Sequence, residues 1–154
     1  MGKKTLARAA LLLGICAAVF TGVVWTANAS SSAVDVQATP NRCGAGYTQI
    51  DSHRLTFNGA SWGYVYLYYN SANGNNCAFT EKLVDRGIPT SVTVRLCRQS
   101  DGVCVYDPVH GEPFQFFAGP VYLHAPNTCI RWGGSVTDSH DRTAGWMSGW
   151  EHCG

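Results

Sequence analysis

The chain has 154 residues, with 11 Lys and Arg against 10 Asp and Glu, a net charge of +1 and only 14% charged residues. A balance this even gives no extended positive field, which excludes a nucleic-acid binder and a protein held on anionic lipid by charge. The length suits one domain around one core.

Residues 1–29 read as a secretory signal peptide. Lys3, Lys4 and Arg8 form a basic start, Ala9 to Ala27 carries no charge, and Ala27-Asn28-Ala29 is an A-x-A cleavage pattern. The apolar run is also long enough to cross a bilayer, so an uncleaved signal-anchor is the rival reading. Lipidation at Cys16 is disfavoured because Ile15 precedes it, and there is no twin arginine. Cleavage removes Lys3, Lys4 and Arg8, leaving 8 basic residues against 10 acidic ones and a net charge of −2. It also removes Cys16, so seven cysteines become six, an even number suited to an oxidising compartment.

Residues 30–42, SSSAVDVQATPNR, are small, polar and aperiodic and read as a flexible leader. Residues 43–154 read as a single disulfide-bonded domain of the all-β class, a small antiparallel sandwich or barrel. Its first candidate strands are Gly46 to Ile50 and His53 to Phe57, separated by Asp51-Ser52; Asn58-Gly59 signals a turn. Ser61 to Asn70 is apolar or aromatic at both even and odd positions, as expected of a central strand covered on both sides. Asn70 to Asn76 is a turn, and Cys77 to Val84 returns as the next strand. Asp85 to Thr90 is a loop, Ser91 to Cys97 an alternating strand, and Val103 to Tyr106 its return across Asp101-Gly102. Phe114 to Phe117, Val121 to His124 and Thr128 to Trp132 are later strands, the first two divided at Gly119-Pro120. The tail from Gly133 to Gly154 is rich in Gly and Trp and less regular.

Cys97 and Cys104 flank one tight turn and are expected to pair across it. Cys43, Cys77, Cys129 and Cys153 allow three pairings, among which the sequence does not choose; sequential pairing is the working expectation.

Six segments occur in order: Cys43-Gly-Ala-Gly-Tyr47, Ile50-Asp-Ser-His53, Val65-Tyr-Leu-Tyr-Tyr-Asn70 with Asn76-Cys77, Phe117-Ala-Gly-Pro-Val-Tyr-Leu123, Cys129-Ile-Arg-Trp-Gly133 and His152-Cys153-Gly154. The ordered set resembles the spore-associated protein A family, small secreted proteins of filamentous actinomycetes found with spores and aerial growth. The resemblance covers the domain from Cys43 onward. It implies four cysteines, at the positions of Cys43, Cys77, Cys129 and Cys153, and Cys97 and Cys104 depart from that pattern. It implies a place, the spore or cell surface, and brings no catalytic residue.

Each candidate site also has a plainer role. Asp138, His140 and Asp141, with His152 or His124, have metal-ligand side chains but no ligand-spacing signature, so a solvated polar loop is expected and no metal. Asp51-Ser52-His53 has the residue types of a hydrolase triad, but neighbours on a strand face opposite ways. An Asn75-Asn76 calcium loop is disfavoured by Phe79. Trp62, Tyr64, Tyr66 and Tyr68 fall on one strand face by alternation, as a platform for sugars or as core. Trp62, Trp132, Trp146 and Trp150 are the candidate glycan-binding residues. The leading expectation is a non-enzymatic, spore- or envelope-associated extracellular protein with no cofactor. Its expected partner is spore- or cell-wall polysaccharide, with no nucleic acid and no membrane after cleavage. A carbohydrate-binding module and an inhibitor of extracellular proteases, with Arg98 to Val103 as a rigid bait loop, are the alternatives.

Overall fold

The structure is a computed structural model that describes residues 41–154. The expected signal peptide and nearly all of the leader lie outside the described residues. Eight strands follow in order: β1 (Thr48–Phe57), β2 (Ala60–Asn70), β3 (Asn75–Lys82), β4 (Val92–Arg98), β5 (Cys104–Asp107), β6 (Phe117–His124), β7 (Ile130–Thr137) and β8 (Thr143–Met147). There is no helix among the described residues. The strands form two four-stranded sheets, ordered β1-β2-β3-β6 and β5-β4-β7-β8, with every pairing antiparallel. The fold is therefore a β-sandwich.

Alternation explains the core. Val65 and Leu67 on β2, Val92, Val94 and Leu96 on β4, and Ile130, Trp132 and Val136 on β7 all point between the sheets and are at most 1% exposed. Each such side chain contributes about 1.5–3 kcal/mol by leaving water. The opposite face of β2 is covered too. Tyr66 and Tyr68 form a second cluster with Phe79 and the Cys43–Cys77 bridge. Residues 41–47 close over this cluster: the Arg42 guanidinium lies 3.7 Å from the Phe117 ring centroid, and Tyr122 donates its hydroxyl proton to the Cys43 carbonyl. This is the two-sided burial expected for a central strand.

Three elements differ from the sequence reading. The two candidate strands around Asp51-Ser52 are one strand, β1, with a bulge at Ile50 where the register passes from Gln49 opposite Tyr68 to Asp51 opposite Leu67. Val121 to His124 also belongs to a longer strand. β6 begins at Phe117 and runs through Gly119-Pro120, which form a bulge on an edge strand, where no outer partner needs a proline N–H. The Gly-rich tail is regular: it completes β7 and supplies β8.

Glycine makes room for a contact between the sheets. A Cβ on Gly134 of β7 would sit 2.2 Å from Thr80 Oγ1 and 2.3 Å from the Thr93 carbonyl oxygen. Thr80, itself buried, donates to that same carbonyl at 2.7 Å. At Asn58-Gly59 both φ values are positive, as a two-residue hairpin turn of this type requires. Lys82 is fully buried; its ammonium donates to the Ile88 carbonyl at 2.7 Å and to the Thr90 hydroxyl. Burial pushes its pKa down, opposed by the nearby Asp85.

Candidate functional site

The outer face of the β5-β4-β7-β8 sheet carries an open groove of about 800 Å³. Register builds it. Arg95 on β4 lies opposite Tyr106 on β5 and Gly133 on β7, and Gly133 lies opposite Met147 on β8. These four residues form one row across the sheet. Gly133 lies under the Met147 side chain: a Cβ there would meet the Trp146 carbonyl at 2.3 Å and the Met147 sulfur at 3.0 Å, so only glycine lets Met147 lie down across β7. Tyr106, 51% exposed, stands at one end of this row and Met147 at the other. The neighbouring row is also small: Thr93 and Ser135 share a hydrogen bond at 2.7 Å, and Gly145 continues it.

In the other direction the groove runs into a second hollow, lined by Arg95, Arg131, Met147, the Cys97–Cys104 bridge and Trp150. Arg131 sits opposite Cys97, one step diagonally from Arg95. Neither guanidinium has a carboxylate within ion-pair distance among the described residues, whereas Arg42, Arg86, Arg98 and Arg142 all do. Arg131 donates through Nε to the Ser148 carbonyl, which fixes its stem and leaves its outer nitrogens for a ligand. Asp107 also lines the groove, but its Oδ2 accepts the Gly119 N–H at 2.6 Å. The face thus offers two unpaired cations, an exposed Tyr, an exposed Trp and a floor of small residues, Thr93, Ser135 and Gly145. Such a surface can stack a sugar ring and hold an anionic or polyhydroxyl substituent.

No protein-family model and no solved structure matches the chain. It is 36% identical over 121 residues to "Spore-associated protein A" of Streptomyces coelicolor, a match spanning 77% of this chain and 73% of that protein. The chain belongs to the spore-associated protein A family. In this family member the three bridges are Cys43–Cys77, Cys97–Cys104 and Cys129–Cys153, a sequential pairing. All six described cysteines are thereby oxidised, which leaves no thiol among them for nucleophilic chemistry.

The four tryptophans singled out in the sequence do not form a platform. Trp62 is 7% exposed and Trp132 1%. Trp62 is the extra residue of a β2 bulge, since Leu55 lies opposite Gly63 and Thr56 opposite Ser61. The bulge turns Trp62 into the inter-sheet core, stacked 4.5 Å from Phe57, and away from the face of Tyr64, Tyr66 and Tyr68. This corrects the expectation that all four rings share one face. Trp146 is half-buried; its ring packs edge-on against Trp132 at 5.0 Å and lies flat on His53 at 3.8 Å with 4° between the planes. It still lines the groove, and Trp150 lies beside it in the adjoining hollow.

The polar candidates are separated as well. Asp138 is buried and serves its own loop, accepting from the His140 and Arg142 backbone N–H groups and from the Arg142 guanidinium. Burial pushes its carboxyl up, but these donors outweigh that and hold it at about 2. Asp51 turns from its sequence neighbour His53 to His152, 3.0 Å from Asp51 Oδ2. His53 is pushed down by burial, opposed by the Asp51 charge. Arg98, first residue of the expected bait loop, pairs with Asp101 at 2.6 Å and donates to the His124 carbonyl. It is held by its own protein rather than presented. The sequence reading missed Arg95, Tyr106, Arg131 and Met147. Alternation along Thr93-Val94-Arg95-Leu96 marks Arg95 as outward, but the row depends on β7 and β8, whose glycines give no alternating signal.

Proposed function

We propose that this chain is a secreted, non-enzymatic protein of the spore or cell envelope, holding wall polysaccharide on the outer face of the β5-β4-β7-β8 sheet. Membership in the spore-associated protein A family supports the place. The N-terminal basic and apolar pattern and the three disulfides support an extracellular life. The observation that carries the binding role is the row Tyr106–Arg95–Gly133–Met147 with Arg131 beside it. The bait-loop reading gains no support, because Arg98 is consumed by Asp101 and His124.

Retention of the purified, disulfide-intact domain on chitin, cellulose, peptidoglycan and whole isolated walls tests this role. The expected result is retention on at least the wall preparation, weakened by added salt because Arg95 and Arg131 contribute charge. No retention on any of the four would overturn it.

A further inference from the structure

Asp51, Glu151 and His152 meet where β1 passes the C-terminal tail. His152 Nε2 is 3.0 Å from Asp51 Oδ2 and 3.9 Å from Glu151 Oε1, and one ligand atom from each of the three lies within 4.8 Å of the others. An ion bound tetrahedrally at about 2.0–2.1 Å separates its ligands by roughly 3.4 Å, so these spacings need only small side-chain adjustments. Asp51 lies 100 residues or more before Glu151 and His152, which are neighbours. Two devices hold the tail in place: Ile130 and Glu151 exchange backbone hydrogen bonds at 2.8 and 2.9 Å, and the Cys129–Cys153 bridge follows His152 directly.

Each carboxylate is oriented by a neighbouring N–H donor. Asp51 Oδ1 accepts the Ser52 N–H at 2.7 Å, which leaves Oδ2 facing His152. Glu151 Oε1 accepts the indole N–H of buried Trp132 at 2.6 Å. Such outer donors are what fix ligating carboxylates in metal centres. No Lys or Arg pairs with either carboxylate among the described residues, so His152 is the sole basic partner of two anions. One imidazole and two carboxylates suit a zinc-type ion, with the half-exposed site leaving a coordination position for water. Calcium takes six or more oxygens and has no use for the imidazole.

We infer that Asp51, Glu151 and His152 form a three-ligand site for a divalent transition-metal ion of the zinc type. The ion would tie β1 to the tail, which the Cys129–Cys153 bridge holds to the start of β7. The site is separate from the groove and stands whether or not the chain holds polysaccharide.

The test uses untagged, chelator-treated, disulfide-intact protein titrated calorimetrically with Zn²⁺, and with Co²⁺ read by visible absorption. The expected result is one ion per chain, unaffected by millimolar Ca²⁺ or Mg²⁺, with affinity at least tenfold lower in Asp51→Asn and in His152→Ala. His140→Ala, on the exposed Asp138 loop, should bind as the parent does. Near-UV circular dichroism establishes that each variant is folded. For a variant that does not fold, Glu151→Gln takes its place in the same comparison: loss of the Co²⁺ absorption counts in favour, and parental absorption would overturn the assignment. Binding weaker than about 1 mM, unchanged affinity in Asp51→Asn and His152→Ala, or loss in His140→Ala alone would overturn the assignment.

Discussion

Trp132 donates its indole N–H to Glu151 at 2.6 Å, joining the centre of the core to the C-terminal tail. Trp132 is 1% exposed, packs edge-on against Trp146, and Trp146 lies flat on His53. One continuous line of contacts thus links the tail, β7, β8 and β1. Trp132→Phe removes both ring volume and the donor, leaving a cavity and a Glu151 carboxylate that no longer has its indole partner. Urea denaturation should show a loss of about 2–4 kcal/mol. Glu151→Gln, which keeps an acceptor for the indole, should cost under about 1.5 kcal/mol.

Gly134 lets β7 lie directly against Thr80 of the opposite sheet. Gly134→Ala places a methyl group 2.2 Å from Thr80 Oγ1 and 2.3 Å from the Thr93 carbonyl oxygen. Overpacking of a side chain alone costs about 1–3 kcal/mol, and here backbone must move as well, so about 3 kcal/mol is expected. Adding Thr80→Ala should recover only part of this loss, because the Thr93 carbonyl remains in the way. Full recovery would mean that the clash is with the side chain alone.

Acid should loosen the loop between β7 and β8. Asp138 is held at about 2, below its ordinary 3.8. A depressed carboxylate adds stability above its unfolded pKa and loses it as pH falls through the folded one. Stability should therefore decline between about pH 4 and pH 2, and Asp138→Asn should remove that part of the decline while lowering stability at neutral pH. Stability that rises as pH falls across this window would contradict the arrangement around Arg142.

The disulfides should differ in worth according to the loops they close. Cys97 and Cys104 are 7 residues apart, and Cys43 and Cys77 are 34 apart. Constraint of the unfolded chain predicts about 2–3 kcal/mol for the first bridge and about 4 kcal/mol for the second. Paired Cys→Ser variants compared by thermal and urea unfolding check the order. The Cys43–Cys77 variant should also expose Tyr66 and Tyr68, whose cover it anchors, as a change in near-UV circular dichroism.

The all-β class, the β2–β3 hairpin and the outward direction of Arg95 were legible because Val, Tyr and Arg alternate with period two along those strands. Gly133, Gly134 and Gly145 concealed β7 and β8, since a residue without a side chain leaves no pattern. The bulge at Trp62 defeated strict alternation and reversed that ring's face. The groove was illegible for a topological reason: β4 lies beside β7 in the sheet, and their pairing register is not a local property of either segment.

The central claim is that the outer face of the β5-β4-β7-β8 sheet holds wall polysaccharide. Cosedimentation of the domain with isolated cell walls, comparing the parent with Tyr106→Ala and Arg95→Ala, tests it most directly. Tyr106 is 51% exposed and Arg95 has no carboxylate partner among the described residues, so both variants should remain folded. The parent should be retained, with at least a tenfold weaker association for each variant, equivalent to about 1.4 kcal/mol. Equal retention of all three proteins, or none of the parent, would contradict it.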